Sequence, residues 1–198
     1  IKDFSPKNIF IEDIAAYDLI SSSFPDQNIL NSDQELQDII SDNKVDIVVS
    51  AIVGFAGLKA SLMAVNAGKI VLIANKESIV AAGDILMPLA KSRGAQIIPI
   101  DSEHNAIFQC LPANKLTTDV SKIIITASGG PFLDIPLSKL NNISPKDALK
   151  HPNWEMGSKI SIDSATLVNK CLELIEARYL FDLNEKLFDL VIHPQSII

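Results

Sequence analysis

QIIPIDSEHNAIFQCL, residues 96–111, changes character twice along its length. Ile97 to Ile100 is a short apolar run carrying one proline, Pro99. Asp101-Ser102-Glu103-His104 is polar, and Ala106, Ile107, Cys110 and Leu111 then recur at helical steps. This profile predicts a buried strand whose C-terminal end feeds a helix. Ligands of open α/β sheets sit at such strand ends. Asp101 and Glu103 are two residues apart, so in an extended segment both carboxylates point the same way. Like charges that close repel, and one takes up a proton unless a cation sits between them. A hard divalent ion, Mg²⁺ or Mn²⁺, is the natural neutraliser. The plainer account is that Asp101 or Ser102 caps the helix and Glu103 favours its positive end. These residues alone leave both accounts open.

Strand and helix patterns alternate upstream. Asn8–Ile11 reads as a short strand, Asp13–Ser22 and Asp33–Ser41 as helices, and Val45–Ile52 as a buried, β-branched strand. Gly54 and Gly57 open a helix over Leu58–Ala67, which Gly68 terminates. A second buried strand, KIVLIANKES, ends at Ala74-Asn75-Lys76-Glu77-Ser78, and a helix to Lys91 follows, stopped at Gly94. Such alternation predicts a parallel sheet with crossover helices. It is half of a dinucleotide-type fold without the phosphate fingerprint, since neither G-x-G-x-x-G nor G-x-x-x-x-G-K-[ST] follows any strand. A nucleotide bound here needs a phosphate loop upstream of Ile1.

The 198 residues can hold one large domain or two small ones, and 47% hydrophobic content suffices for a core. A net charge of −7 argues against nucleic-acid and anionic-membrane partners. Cys110 and Cys171 fall in apolar helical patterns and read as reduced core residues; no zinc spacing is present. IVVSAIVGFAGL, between Asp46 and Lys59, is too short to span a bilayer, and the first residues lack a signal-peptide core. The expectation is a soluble, intracellular protein. A start at Ile1 without Met and an end within an apolar run at Ile198 are expected of a chain cut at both ends.

Downstream, Lys122–Ala127 is a strand that runs into Ser128-Gly129-Gly130-Pro131-Phe132. Paired glycines let backbone N–H groups approach an anion and Ser128 adds a hydroxyl, although a tight turn fits equally. Pro136–Leu140 and Pro145–Lys150 read as short helices. HPNWEMGSKISI, residues 151–162, has no helix or strand period and holds the only tryptophan, Trp154, beside His151, Met156 and Gly157. It is either a lid over a ligand or a loop pinned by its tryptophan. Asp163-Ser164 is predicted to cap a long helix, Ala165–Phe181, with Val168, Cys171, Leu172 and Ile175 as its apolar face. Thr166, Asn169, Glu173 and Glu176 fall opposite, with Lys170 at the edge. That stripe is a solvated face, or else a phosphate contact (Asn169, Lys170) with Glu173 as a third oxygen ligand. Phe188–His193 is the last strand. His104, His151 and His193, all the histidines, lie in polar inserts.

Seven motifs occur in order: A-N-K-E-S (74–78), P-x-D-S-E-H-N-A-I-F-Q (99–109), S-G-G-P-F (128–132), H-P-N-W-x-M-G-x-K-I (151–160), D-S-A-T-x-x-N-K-x-L-E (163–173), I-E-A (175–177) and I-H-P-Q-S (192–196). Together they resemble the 1-deoxy-D-xylulose 5-phosphate reductoisomerase family over nearly the whole chain, which corresponds to the middle of that family's sequence. The resemblance implies an α/β fold: a partial Rossmann-like parallel sheet with crossover helices, followed by an α+β catalytic domain. Residues 1–100 would be the C-terminal part of an NADPH-binding domain and 101–198 a catalytic domain truncated at its end.

It further implies NADPH- and divalent-metal-dependent isomerisation and reduction of a small phosphosugar, 1-deoxy-D-xylulose 5-phosphate, in non-mevalonate isoprenoid synthesis. Asp101, Glu103 and Glu173 match the ligands of Mg²⁺ or Mn²⁺, with Co²⁺ as another candidate. Lys76, Ser102, Ser128, His151, Ser164, Asn169 and Lys170 match substrate contacts, and with the ligands Lys76 makes the catalytic set. Trp154 and Met156 match lid residues; Asn75, Glu77 and Gly157 match positions touching NADPH. The full-length enzyme would be a homodimer in the bacterial cytoplasm or a plastid-type organelle. Cys171 stands where the pattern usually has glycine and is expected to alter core packing alone. Two other readings are an inactive metal- and phosphosugar-binding fragment, and a homoserine-type dehydrogenase. The latter also carries a strand ending in A-N-K but needs neither the D-S-E pair nor the D-S-A-T…N-K…E helix.

Overall fold

The computed structural model describes residues 1–112, 120–150, 157–195 and 197. In chain order it contains β1 (Asn8–Phe10), α1 (Ile14–Ser23), β2 (Asn28–Leu30), α2 (Asp33–Ser41), β3 (Ile47–Ser50), α3 (Gly57–Asn66), β4 (Ile70–Ile73) and α4 (Lys76–Arg93). Then follow β5 (Gln96–Pro99), α5 (Ser102–Cys110), β6 (Ile123–Ala127), α6 (Pro145–Ala148), α7 (Ser158–Ala165), α8 (Val168–Phe181) and β7 (Phe188–Ile192), with 3-10 turns over Leu137–Asn142 and Glu185–Leu187. Among the described residues every strand pair is parallel: β1 with β2, β3-β4-β5 in that order, and β6 with β7. Ser50 pairs with Ile73 and Ile73 with Pro99, so the middle strands end level and discharge their loops on one side. This is the mixed α/β architecture with crossover helices that the alternating pattern predicts.

Hydrophobic content is concentrated where neighbours exist on both sides. Val71 and Ile73 of the central strand β4 are at most 1% exposed and meet Val65, Ile79 and Leu86 in the main core. Ile123, Ile125, Ala177 and Leu183 form a second core under β6. Helix α8 serves both, with Ala177 in the second and Tyr179 and Leu180 against the first. The α4–α8 approach needs a glycine: a Cβ on Gly83 would lie 2.5 Å from the Tyr179 ring.

Several expectations are corrected. Val45–Ile52 is not a buried strand. β3 is the outer strand of its sheet, with Ile47 52% and Val49 59% exposed, because β-branched content does not distinguish a central strand from an edge. Asn28–Leu30 adds a short strand, β2, that the sequence pattern does not signal. The long helix from Ala165 is two helices. Asp163 and Ser164 lie inside α7 rather than capping α8, and Leu167 breaks the chain between them at φ 61°. The C-terminal half of the periodless segment is therefore helical.

The faces of α8 are the reverse of those expected. Val168 and Ile175 are exposed, whereas Lys170, Glu173, Glu176 and Ala177 are buried. Cys110 and Cys171 are exposed rather than core residues, so Cys171 has no core packing to alter. Hydropathy assigns a helix its face only when the burial is apolar; here α8 buries charges against charges. Among the described residues no helix is long and apolar enough to cross a membrane.

Candidate functional site

Three elements bring charged side chains together at the strand ends. Asp101 follows β5 and caps α5: its Oδ1 accepts from the Ser102 N–H at 3.0 Å, while its Oδ2 pairs with Lys76 Nζ at 2.8 Å. The capping and cluster accounts of D-S-E thus hold together, one oxygen each. Asp101 is extended but Glu103 is already in the first turn of α5, so a helix turn, and not a strand pleat, makes the two converge. Glu173, 1% exposed, arrives from α8. Its Oε1 accepts from Lys76 Nζ at 3.1 Å and from Asn169 Nδ2 at 2.5 Å, and its Oε2 from Lys170 Nζ at 2.5 Å. Lys170 also pairs with Glu103.

Burial and ion pairing compete at each of these groups. Burial alone would raise the Glu103 pKa, but the Lys170 ammonium and the Ser102 hydroxyl outweigh it and hold the group at about 2. Burial likewise works against the charge on Lys76, and the Glu173 and Asp101 carboxylates override it, raising its pKa. Two lysines and three acidic side chains thus share one cluster.

One ligand oxygen from each of Asp101, Glu103 and Glu173 can be chosen so that all lie within 4.8 Å of one another. Octahedral Mg²⁺, with oxygens at about 2.1 Å, separates opposite ligands by about 4.2 Å. A small inward shift suffices, and the all-oxygen, anionic donor set suits a hard cation. Asp101 Oδ2 is buried, with the Lys76 amine 2.8 Å away but no well-aligned hydrogen bond, which leaves it lone-pair capacity for a cation. The residues fit.

The cluster forms one end of a cavity of about 890 Å³ lined by Lys76, Asp101, Ser102, Glu103, Ser128, Ser164, Asn169, Lys170 and Glu173, among others. Ile107, Leu111 and the residues of β6 add apolar lining. Ser128 and Ser164 reach the same cavity because the glycine turn sits directly on α7. A Cβ on Gly130, at φ +70°, would lie 2.7 Å from the Ser164 carbonyl. Asn75 caps α4 through Ser78 and donates from Nδ2 to the Ile52 and Gly54 carbonyls at 2.6 and 2.9 Å. With Glu77 it borders a smaller cavity of about 60 Å³ against Ala51–Val53.

Gly157 is exposed at the start of α7 and lines neither cavity. His151, Trp154 and Met156 lie outside the described residues. Sequence reasoning gave no role to Lys159, which pairs with Glu77 at 3.0 Å and Asp163 at 2.6 Å, or to His193, which lines the larger cavity. It also gave none to the buried pair His104 and Glu176, 3.4 Å apart. His104 and Glu176 lie in the D-S-E-H and I-E-A motifs, but neither the motifs nor their spacing gave them a role.

Fold and site together define a class: a parallel α/β sheet with crossover helices that opens on a carboxylate–lysine cavity whose oxygens fit a divalent cation. Two family models match, that of 1-deoxy-D-xylulose 5-phosphate reductoisomerase over residues 1–83 and that of its C-terminal domain over residues 97–181. The chain belongs to the 1-deoxy-D-xylulose 5-phosphate reductoisomerase family. It is 50% identical to the reductoisomerase of Acinetobacter baylyi, covering 100% of this chain and 52% of that protein. It is also 50% identical to that of Vesicomyosocius okutanii, covering 96% and 49% respectively.

Solved structures agree. A DOX-P reductoisomerase in complex with NADPH, fosmidomycin and magnesium superposes with a TM-score of 0.90 at 50% identity, over 98% of this chain and 51% of that one. The Zymomonas mobilis reductoisomerase in complex with NADPH gives 0.87 at 41% identity, over 97% and 49%. The chain thus spans about half the length of the relatives it matches.

Proposed function

We propose that the chain is the central half of an NADPH-dependent oxidoreductase that isomerises and reduces 1-deoxy-D-xylulose 5-phosphate to 2-C-methyl-D-erythritol 4-phosphate. The observation that carries this reading is the convergence of Asp101, Glu103 and Glu173 within 4.8 Å on the wall of the large cavity. A family containing structures with NADPH, fosmidomycin and magnesium supports it. Residues 1–100 would belong to the cofactor domain and 101–198 to the catalytic one. A divalent cation, Mg²⁺ or Mn²⁺ with Co²⁺ as an alternative, would be held by the three carboxylates and supply Lewis-acid polarisation of the substrate's keto and hydroxyl oxygens.

The chain's own groups do the rest. Lys76, held charged between Asp101 and Glu173, places positive charge beside the reacting oxygens, where a dry site magnifies its effect. Ser102 positions the substrate next to the ligand carboxylates. Ser128, Ser164, Asn169 and Lys170 would take the phosphate, whose binding energy, remote from the reacting carbons, can hold the substrate in a strained reactive pose. His151 would add a substrate contact, Trp154 and Met156 a lid, and Asn75, Glu77 and Gly157 contacts to NADPH. The full-length enzyme would be a homodimer, and the bacterial relatives support a cytoplasmic location.

The test is Glu103→Gln in the full-length enzyme, with NADPH consumption followed by absorbance. Turnover should fall by a factor of about 100 or more, as when an electrostatic stabiliser is removed, with NADPH affinity little changed. Near-normal turnover at saturating Mg²⁺ or Mn²⁺ would overturn the assignment.

A further inference from the structure

Glu176 is the most poorly matched group among the described residues. It is 0% exposed on α8, and neither carboxyl oxygen has a hydrogen bond. A buried carboxyl without a hydrogen bond is destabilising, so what it faces matters. What it faces is His104, also 0% exposed, with Glu176 Oε2 3.4 Å from Nε2. That nitrogen lies 2.8 Å from the Glu173 carbonyl oxygen. A carbonyl only accepts, so Nε2 carries the hydrogen and, in the neutral ring, Nδ1 carries the lone pair. Nδ1 has no hydrogen bond and faces Asp101 Oδ2 at 3.9 Å. One imidazole therefore grips the backbone of Glu173 and abuts the carboxylate of Asp101, with Glu176 seated against its gripping edge. Lys76, Glu77, Asp101 and Glu173 are the other charged groups that act on Glu176.

We propose that His104 and Glu176 are a positioning pair behind the cation site: His104 sets the separation of Asp101 and Glu173, and Glu176 holds the ring at the angle that does so. This deepens, and rests on, the reading of Asp101, Glu103 and Glu173 as cation ligands. Groups that brace metal ligands from behind typically change affinity 10- to 100-fold when removed. Glu176→Gln separates bracing from mere packing. It keeps the shape and deletes an unmatched buried carboxyl, so a brace predicts weaker cation binding with a melting temperature that holds or rises.

The experiment is calorimetric titration of the full-length protein with Mn²⁺ alone, beside thermal unfolding without metal. The variants are Glu176→Gln, His104→Gln, His104→Leu and, as a reference, Asp101→Asn. The pair predicts one ion per chain, affinity about 10- to 100-fold weaker in Glu176→Gln, and a smaller loss in His104→Gln than in His104→Leu, because the amide can still donate to the Glu173 carbonyl. Three results overturn it: Mn²⁺ affinity unchanged in Glu176→Gln and His104→Leu, stability and affinity falling together in Glu176→Gln, or two ions per chain, which would make the pair ligands. If Asp101→Asn alone abolishes binding, only the pair is lost. Undiminished binding in Asp101→Asn overturns the underlying cation site as well.

Discussion

Glu103, half-buried, and Glu176, fully buried, behave oppositely with pH. The Glu103 pKa of about 2 lies below its ordinary 4.5, because Lys170 overrides burial. The unfolded chain then binds more protons than the native one in that window. The stabilisation is complete above about pH 4.5 and disappears as the pH falls towards 2. Glu176 is raised to about 8 by burial first and the Asp101 carboxylate next. There the native state keeps a proton that the unfolded chain releases, so stability declines as the pH climbs from about 4.5 to 8. Urea midpoints measured with chelator present should therefore fall between pH 5 and pH 8, and the fall should be shallower in Glu176→Gln. Parallel profiles for the two proteins would refute a buried, protonated Glu176.

At the scale of elements, the pairing of α4 and α8 positions Lys76 relative to Glu173. Gly83 permits that approach, since any Cβ there would meet the Tyr179 ring at 2.5 to 2.7 Å. Gly83→Ala must displace the ring or part the helices, with an expected cost of about 1–3 kcal/mol from overpacking. Chemical denaturation measures this directly, and a variant as stable as the parent would mean the ring swings away freely. The junction between α7 and α8 is a second constraint. Leu167 adopts φ 61°, where an L-residue with a side chain loses about 1–2 kcal/mol. Leu167→Gly relieves that strain at a smaller cost in chain entropy, and the midpoint of unfolding should rise.

Across the whole molecule, the carboxylates come from α5 and α8, so only the folded chain brings them within reach of one ion. A cation that binds the native state alone stabilises it by about 2.7 kcal/mol at 100 times its Kd. Mn²⁺ should accordingly raise the melting temperature of the full-length protein in a concentration-dependent way, and should do so far less in Asp101→Asn. Equal shifts in both proteins would point to binding elsewhere.

The succession of strands and helices, the strand-to-helix turn at Asp101 and the membership of Asp101, Glu103 and Glu173 in a common motif set were legible in the sequence. Local spacing and caps carry the first two within a few residues of chain, and the family resemblance supplied the third. The family resemblance also implied that Ser128, Ser164, Asn169 and Lys170 belong with them, and all four line the same cavity. Tertiary structure alone decided which strand stood at an edge, and that α8 turns Lys170, Glu173 and Glu176 inward while Val168 and Ile175 face out. Hydropathy periods assume that burial is apolar, and they fail where opposite charges from distant segments neutralise one another. The contact of His104 with Glu173 and Glu176 is of that kind: its partners lie about seventy residues away along the chain, at 69 residues for Glu173, and only the packing of α5 on α8 brings them together.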